Sequence, residues 1–229
     1  MTAQTLPTAQ TAQTLPTAQT VTPAASRSAL ACAMAAGPLF LAAGVIQGLL
    51  RDGYDFRRNA ISQLSLGDLG WIQETSFVLT GVLIIIGAVG VRRALHGGPG
   101  GTWAPRLIAV FGASTLVSAV FAADPGAGFP AGTPEGQAAS LSTHGTVHMV
   151  VGMVGFAALC ASFVVLARRF SVQGRRGWAT ACRIVPVAVL AGFVGSAASV
   201  LSFTAGAGLG LVWLTATTAR LATAPSAER

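Results

Sequence analysis

Between Arg27 and Arg51 no residue carries a charge, and long apolar runs bounded by arginines or short polar segments recur along the whole chain. A helix of about 20 apolar residues matches the roughly 30 Å hydrocarbon core of a bilayer. The runs place membrane spans at 29–50, 71–91, 103–123 and 144–167. The stretch 184–219 is also free of charge. As one helix it would be roughly 54 Å long at about 1.5 Å per residue, so it must fold back. A turn near Ser202–Gly206 gives spans at 184–201 and 205–220. The expected architecture is therefore all-α: a polytopic bundle of six transmembrane helices over residues 29–221, with a short tail at 222–229. Only 9% of residues are charged, against about a quarter in ordinary soluble domains, which excludes a soluble reading of the same pattern.

Residues 1–28 read differently. TAQTLPTAQ occurs twice, at 2–10 and 11–19, and Thr, Ala, Gln and Pro without apolar periodicity cannot offset the entropy of ordering. A disordered tail is expected, lacking the basic start of a secretory signal. Arginine placement then orients the bundle. With the start of the chain cytoplasmic, the inner segments hold Arg27, Arg92, Arg93, Arg106, Arg168, Arg169, Arg175, Arg176, Arg183, Arg220 and Arg229, and the outer ones only Arg51, Arg57 and Arg58. That asymmetry predicts a multi-pass protein of the cell membrane with both termini inside. The net charge of +7 does not point to nucleic acid, because the arginines flank apolar spans and form no patch with interleaved aromatics. Membrane lipids are the expected surroundings and partners. Cys32, Cys160 and Cys182 share no metal spacing and read as small buried hydrophobes.

One polar interruption, Asp124 to His148, then concentrates the chemistry. An aspartate closes span three, and His144 and His148, one helical turn apart, open span four on the same face. Two histidines at this spacing with a carboxylate can ligate a divalent metal such as zinc, although the chain reads His-Gly-Thr-Val-His and lacks the glutamate of a zincin. The competing reading makes both histidines interfacial side chains bonded to Asp124 and loop carbonyls. Haem is disfavoured, because axial ligands come from opposite faces of the iron and the third histidine, His96, lies on the inner side. Glu135, in a Gly- and Pro-rich context, reads as solvated. Gly44 and Gly48 predict close approach of a neighbouring helix, and residues 56–66 a short helix lying on the surface. No charge lies mid-span, which argues against an ion-coupled transporter. Ser114, Thr115, Ser118, Ser196 and Ser199 either line a polar path or pack between helices.

Three segments, residues 53–81, DPGAGFPAGTPEG at 124–136 and HGTVH at 144–148, together resemble the DUF998 family of six-span prokaryotic membrane proteins without assigned activity. The resemblance runs from about Gly37 to Arg220. It implies that Tyr54, Asp55, Ser62, Gly67, Trp71 and Gln73 join Asp124, His144 and His148 in one outer cluster. The chain reads Gly208-Leu209-Gly210-Leu211 where the family often has an arginine, so no cation is expected from the last helix. Three function classes follow. In the first, the outer polar site binds a lipid head group or an envelope partner. In the second, it is a metal-dependent hydrolase of a lipid or envelope substrate, with Asp124 and Ser62 as catalytic candidates. The third is a small transporter or sensor.

Overall fold

The apolar runs become six α-helices: α1 (Pro23–Leu50), α2 (Gly70–Leu95), α3 (Trp103–Val120), α4 (Thr143–Val172), α5 (Arg176–Val194) and α6 (Val200–Ala222). They come from a computed structural model that describes residues 23–96, 98–136 and 140–223. Each of the six is long and apolar enough to cross a membrane, and no strand occurs among the described residues. Their outward faces carry exposed apolar side chains, including Leu49, Val82, Val89, Val110, Val164 and Val187. That is the inverse of a soluble bundle and suits a hydrocarbon solvent.

Helix ends differ from the sequence expectation, α2 running on to Leu95 and α4 to Val172 while α3 stops at Val120, and three further differences bear on the architecture. Helix α1 begins at Pro23, so residues 23–28 of the expected tail are helical; a proline in the first helical turn loses no hydrogen bond. Residues 1–22 of that tail and 224–229 lie outside the described residues. Helix α5 starts at Arg176, so Arg176 and Arg183 are helical where the expectation began at Ile184. The α5–α6 turn lies at Gly195–Ser199, before the expected Ser202–Gly206. There Ser199 accepts from the Leu201 amide and caps α6. Gly206 is instead needed inside the hairpin, where a Cβ would lie 2.9 Å from the Val189 carbonyl oxygen.

Each helix packs antiparallel to the next in chain order, and α6 closes back on α1, so the six form a ring. Small residues let the backbones approach at the crossings. Gly81 and Gly112 face each other between α2 and α3, and a Cβ at Gly37 would lie 2.8 Å from the Leu211 carbonyl oxygen of α6. At the arginine-rich end the ring is filled by buried Val91, Leu95, Ile108, Phe163, Leu166, Phe170 and Leu214. At the other end it is covered by residues 51–69 and 121–136 of the two long connections. Between them sits a second, small core of Ile61, Leu64 and Phe129. The expected surface-lying helix at 56–66 is only a 3₁₀ turn, Ile61–Ser65, and it is buried. Gly44 and Gly48 likewise receive this loop, not a helix. A Cβ at Gly44 would lie 2.7 Å from Ile61, and one at Gly48 would overlap Phe56.

Gly37→Ala should therefore lower the thermal midpoint of the detergent-purified protein, by an overpacking cost of about 1–3 kcal/mol less the gain in helix propensity. Gly152→Ala, whose Cβ would meet nothing within 4 Å, should leave the midpoint unchanged or raise it.

Candidate functional site

The cap over the ring is held by side chains that give both loops the partners their backbones lack. Asn59 is fully buried; its amide donates to the carbonyls of Gly126 (3.2 Å) and Ala127 (3.4 Å), and its oxygen accepts from the Asp55 amide at 2.9 Å. Gln63 donates to the Asp124 carbonyl at 3.1 Å and accepts from the Ala60 amide at 3.0 Å. Arg51 donates to the Leu64 and Leu66 carbonyls and lies 4.9 Å from the Phe129 ring centre. Burial pulls its pKa down, with Asp68 acting in the opposite direction. Arg58 bridges the loops by pairing with Asp55 and Glu135, so Glu135 is an ion-pair partner despite its flexible sequence context.

The predicted cluster separates into residues with different tasks. Tyr54 packs edge-on to Phe129 and donates to the Asn59 carbonyl at 3.1 Å. Burial, and secondarily the charge of Asp55, push its pKa above the ordinary tyrosine value. Gly67 supplies a left-handed turn at φ 72°, and Trp71 is exposed. Gln73 is buried between α1 and α2, accepting from the Gln47 amide at 2.8 Å. Ser62 faces the cavity described below.

Asp124, His144 and His148 do not converge on a metal. The Asp124 carboxylate accepts from the amide and hydroxyl of Ser142, the N-cap residue of α4. It rests against Gly145, where any Cβ would overlap it, and there meets the positive end of the helix dipole. His148 is buried, with Nδ1 donating to the Phe121 carbonyl at 2.7 Å. His144 is exposed and packs on the Phe121 ring at 5.2 Å. Among the described residues no three His, Cys, Asp or Glu side chains are grouped to hold a metal ion. In this structure the carboxylate serves as a helix cap, and one of the two histidines is tied to a loop carbonyl. Neither histidine bonds Asp124, the partner the competing reading gave them.

Beneath the cap lies a cavity of about 520 Å³, walled by residues from all six helices and from the 51–69 loop. Its surface is mostly apolar, with Phe40, Phe77, Phe111, Phe156 and Phe203 among its aromatic lining. Thr80, Ser114, Thr115, Ser118, Thr204 and His148 are among the polar groups along its helical walls, with Ser196 at the α5–α6 turn, and Arg58, Ser62 and Gln63 stand at the loop end. Sequence reasoning missed Arg58, Asn59 and Gln63; the signal was an Asn–Gln pair four residues apart amid apolar neighbours.

The chain belongs to the DUF998 family, described as "protein of unknown function", whose model it matches over residues 34–222. No curated protein and no solved structure matches it. The matched region takes in both cap loops and all of α2 to α6.

Two measurements check this geometry. Tyr54 is the only tyrosine, so tyrosinate absorbance should stay flat as pH rises past 10, its ordinary pKa, and appear when the fold is lost. The sign follows from a folded value above the unfolded one. The neutral phenol's contribution to stability is full below the unfolded pKa and is lost as pH rises through the folded one. Separately, Asp124→Ala should lower the thermal midpoint by the worth of a cap, about 0.5–2 kcal/mol, and leave the zinc content measured by elemental analysis unchanged.

Proposed function

We propose that this protein is a multi-pass protein of the cell membrane that binds one long-chain amphiphile in the capped cavity. The start of α1 and the end of α6 face the cytoplasm, and the cap faces outward. The orientation rests on the arginine asymmetry between the two ends of the bundle. The observation that carries the binding reading is the cavity itself. A space of about 520 Å³ is within the range of sites that take small organic ligands, and its apolar wall with a few polar groups is the usual chemistry of such sites. Arg58 and Gln63 lie where a polar end would emerge, and the phenylalanines where a chain would lie.

The other two classes have less support. A carrier needs a path through the bundle, and here the ring is packed with buried Phe163, Leu166 and Phe170 towards the arginine-rich end. A metal-dependent hydrolase needs ligands, and Asp124 and His148 are occupied by Ser142 and Phe121.

Gly152 offers the test, because it lines the cavity and a Cβ there meets open space. Native mass spectrometry of wild-type protein in mild detergent should show a co-purifying amphiphile, and Gly152→Phe should lose it while keeping its thermal midpoint. Equal retention by the folded variant would rule the reading out.

A further inference from the structure

We infer that the amphiphile is a membrane phospholipid, held with one chain in the cavity and its phosphate at the rim against Arg57. This rests on the cavity being a binding site and names the class of ligand it takes. The first observation is a second hollow beside the cavity. A depression of about 220 Å³ shares Arg58, Ser196, Ala197 and Val200 with the cavity, so the two adjoin. Its lining adds Arg57, Glu135 and Ser199, which sets a charged space against an apolar one. A ligand that fills both has a hydrocarbon part and a charged head.

The charges of the rim are unevenly paired. Arg58 takes both neighbouring carboxylates, Asp55 and Glu135. Arg57 is exposed, and its guanidinium has no carboxylate within 4 Å among the described residues; only its backbone amide meets Asp55, at 2.8 Å. A free guanidinium is matched by phosphate oxygens, which accept its N–H groups in pairs. Ser199 lines the same depression with a hydroxyl whose hydrogen has no acceptor among the described residues. Further in, Ser62 and Ser118 line the cavity with hydroxyls that donate to no group among those residues, and Gln63 keeps a second N–H. Ester carbonyls, one glycerol unit inward of a phosphate, would accept from them.

The same cavity is open to the bilayer. Met149 and Met153 of α4 line it and are 52% and 62% exposed, and Ser196 and Ala197 of the α5–α6 turn line it and are exposed as well. Phe156 and Phe193, with ring centres 5.0 Å apart, close α4 on α5 below that gap. One chain of a lipid enters there while the other stays among its neighbours in the membrane.

The experiment titrates the full-length, delipidated protein with dioleoylphosphatidylglycerol, dioleoylglycerol and glycerophosphoglycerol, read by native mass spectrometry. The first carries chains and phosphate, the second the same chains alone, and the third the head group alone. The phospholipid should bind more tightly than dioleoylglycerol by about three- to tenfold, the range expected of one charge-assisted contact at an exposed rim. The head group alone should not bind at the same concentration. Arg57→Gln removes an exposed guanidinium that holds no carboxylate among the described residues, so the variant should fold. It should bring the phospholipid down to the affinity of dioleoylglycerol and leave dioleoylglycerol unchanged. Equal binding of the two lipids by wild-type protein, or an undiminished preference in Arg57→Gln, would overturn the inference and leave the cavity reading standing. Binding of the head group as tightly as the phospholipid would overturn it too, making the rim a site for a soluble phosphate ester. If neither lipid binds, or if Gly152→Phe binds both as wild type does, the cavity reading falls and this inference with it.

Discussion

The loop-bearing end of the bundle depends on one buried amide. Asn59 holds the backbone of its own loop at Asp55 and that of the opposite loop at Gly126 and Ala127. At a membrane surface such backbone groups need partners from within the protein or from water, and a loop folded over a cavity keeps little water. The rest of the cap is arranged around that contact. Phe129 fills the space beside it, Tyr54 and Arg51 cover Phe129, and Arg58 with Glu135 joins the outer rims. Substituting Asn59 by an apolar residue would leave the Ala127 carbonyl and the Asp55 amide unpaired together and strip Gly126 of one of its two donors.

How much of this was legible in the sequence follows from which interactions have a period. The six helices were, because a bilayer imposes a length and a composition that no soluble core requires. The end of α5 was not: the uncharged run from Ile184 to Ala219 contains several glycines, and only packing distinguishes the turn at Gly195 from the contact at Gly206. The polar loop at Asp124–His148 stood out in the sequence as an aspartate and two histidines bounding a Gly- and Pro-rich interruption, but spacing alone does not say which partners those side chains meet. His-Gly-Thr-Val-His resembles a ligand pair, yet its glycine provides the informative contact by admitting the Asp124 carboxylate to the start of α4. The cavity had no sequence signature, since its walls come from all six helices and its polar residues are scattered hydroxyls.

The division of the ring into a filled half and an open half gives the molecule its direction. Towards the arginine-rich end, large side chains from α2, α3, α4 and α6 meet on the axis. Towards the cap, α3 and α4 turn Ser114, Thr115, Ser118 and His148 to the cavity. The polar groups of the cavity's helical walls come from α2, α3, α4 and α6.

The closure of α6 on α1 carries a further consequence. In a ring where every helix touches its two chain neighbours, no helix is topologically first. The start of α1 and the end of α6 lie side by side at the same end of the bundle. A linker joining them and a new opening in the short connection at 98–102 would therefore preserve every helix–helix contact, the cap and the cavity. Chain order, in this fold, is separable from the architecture it builds.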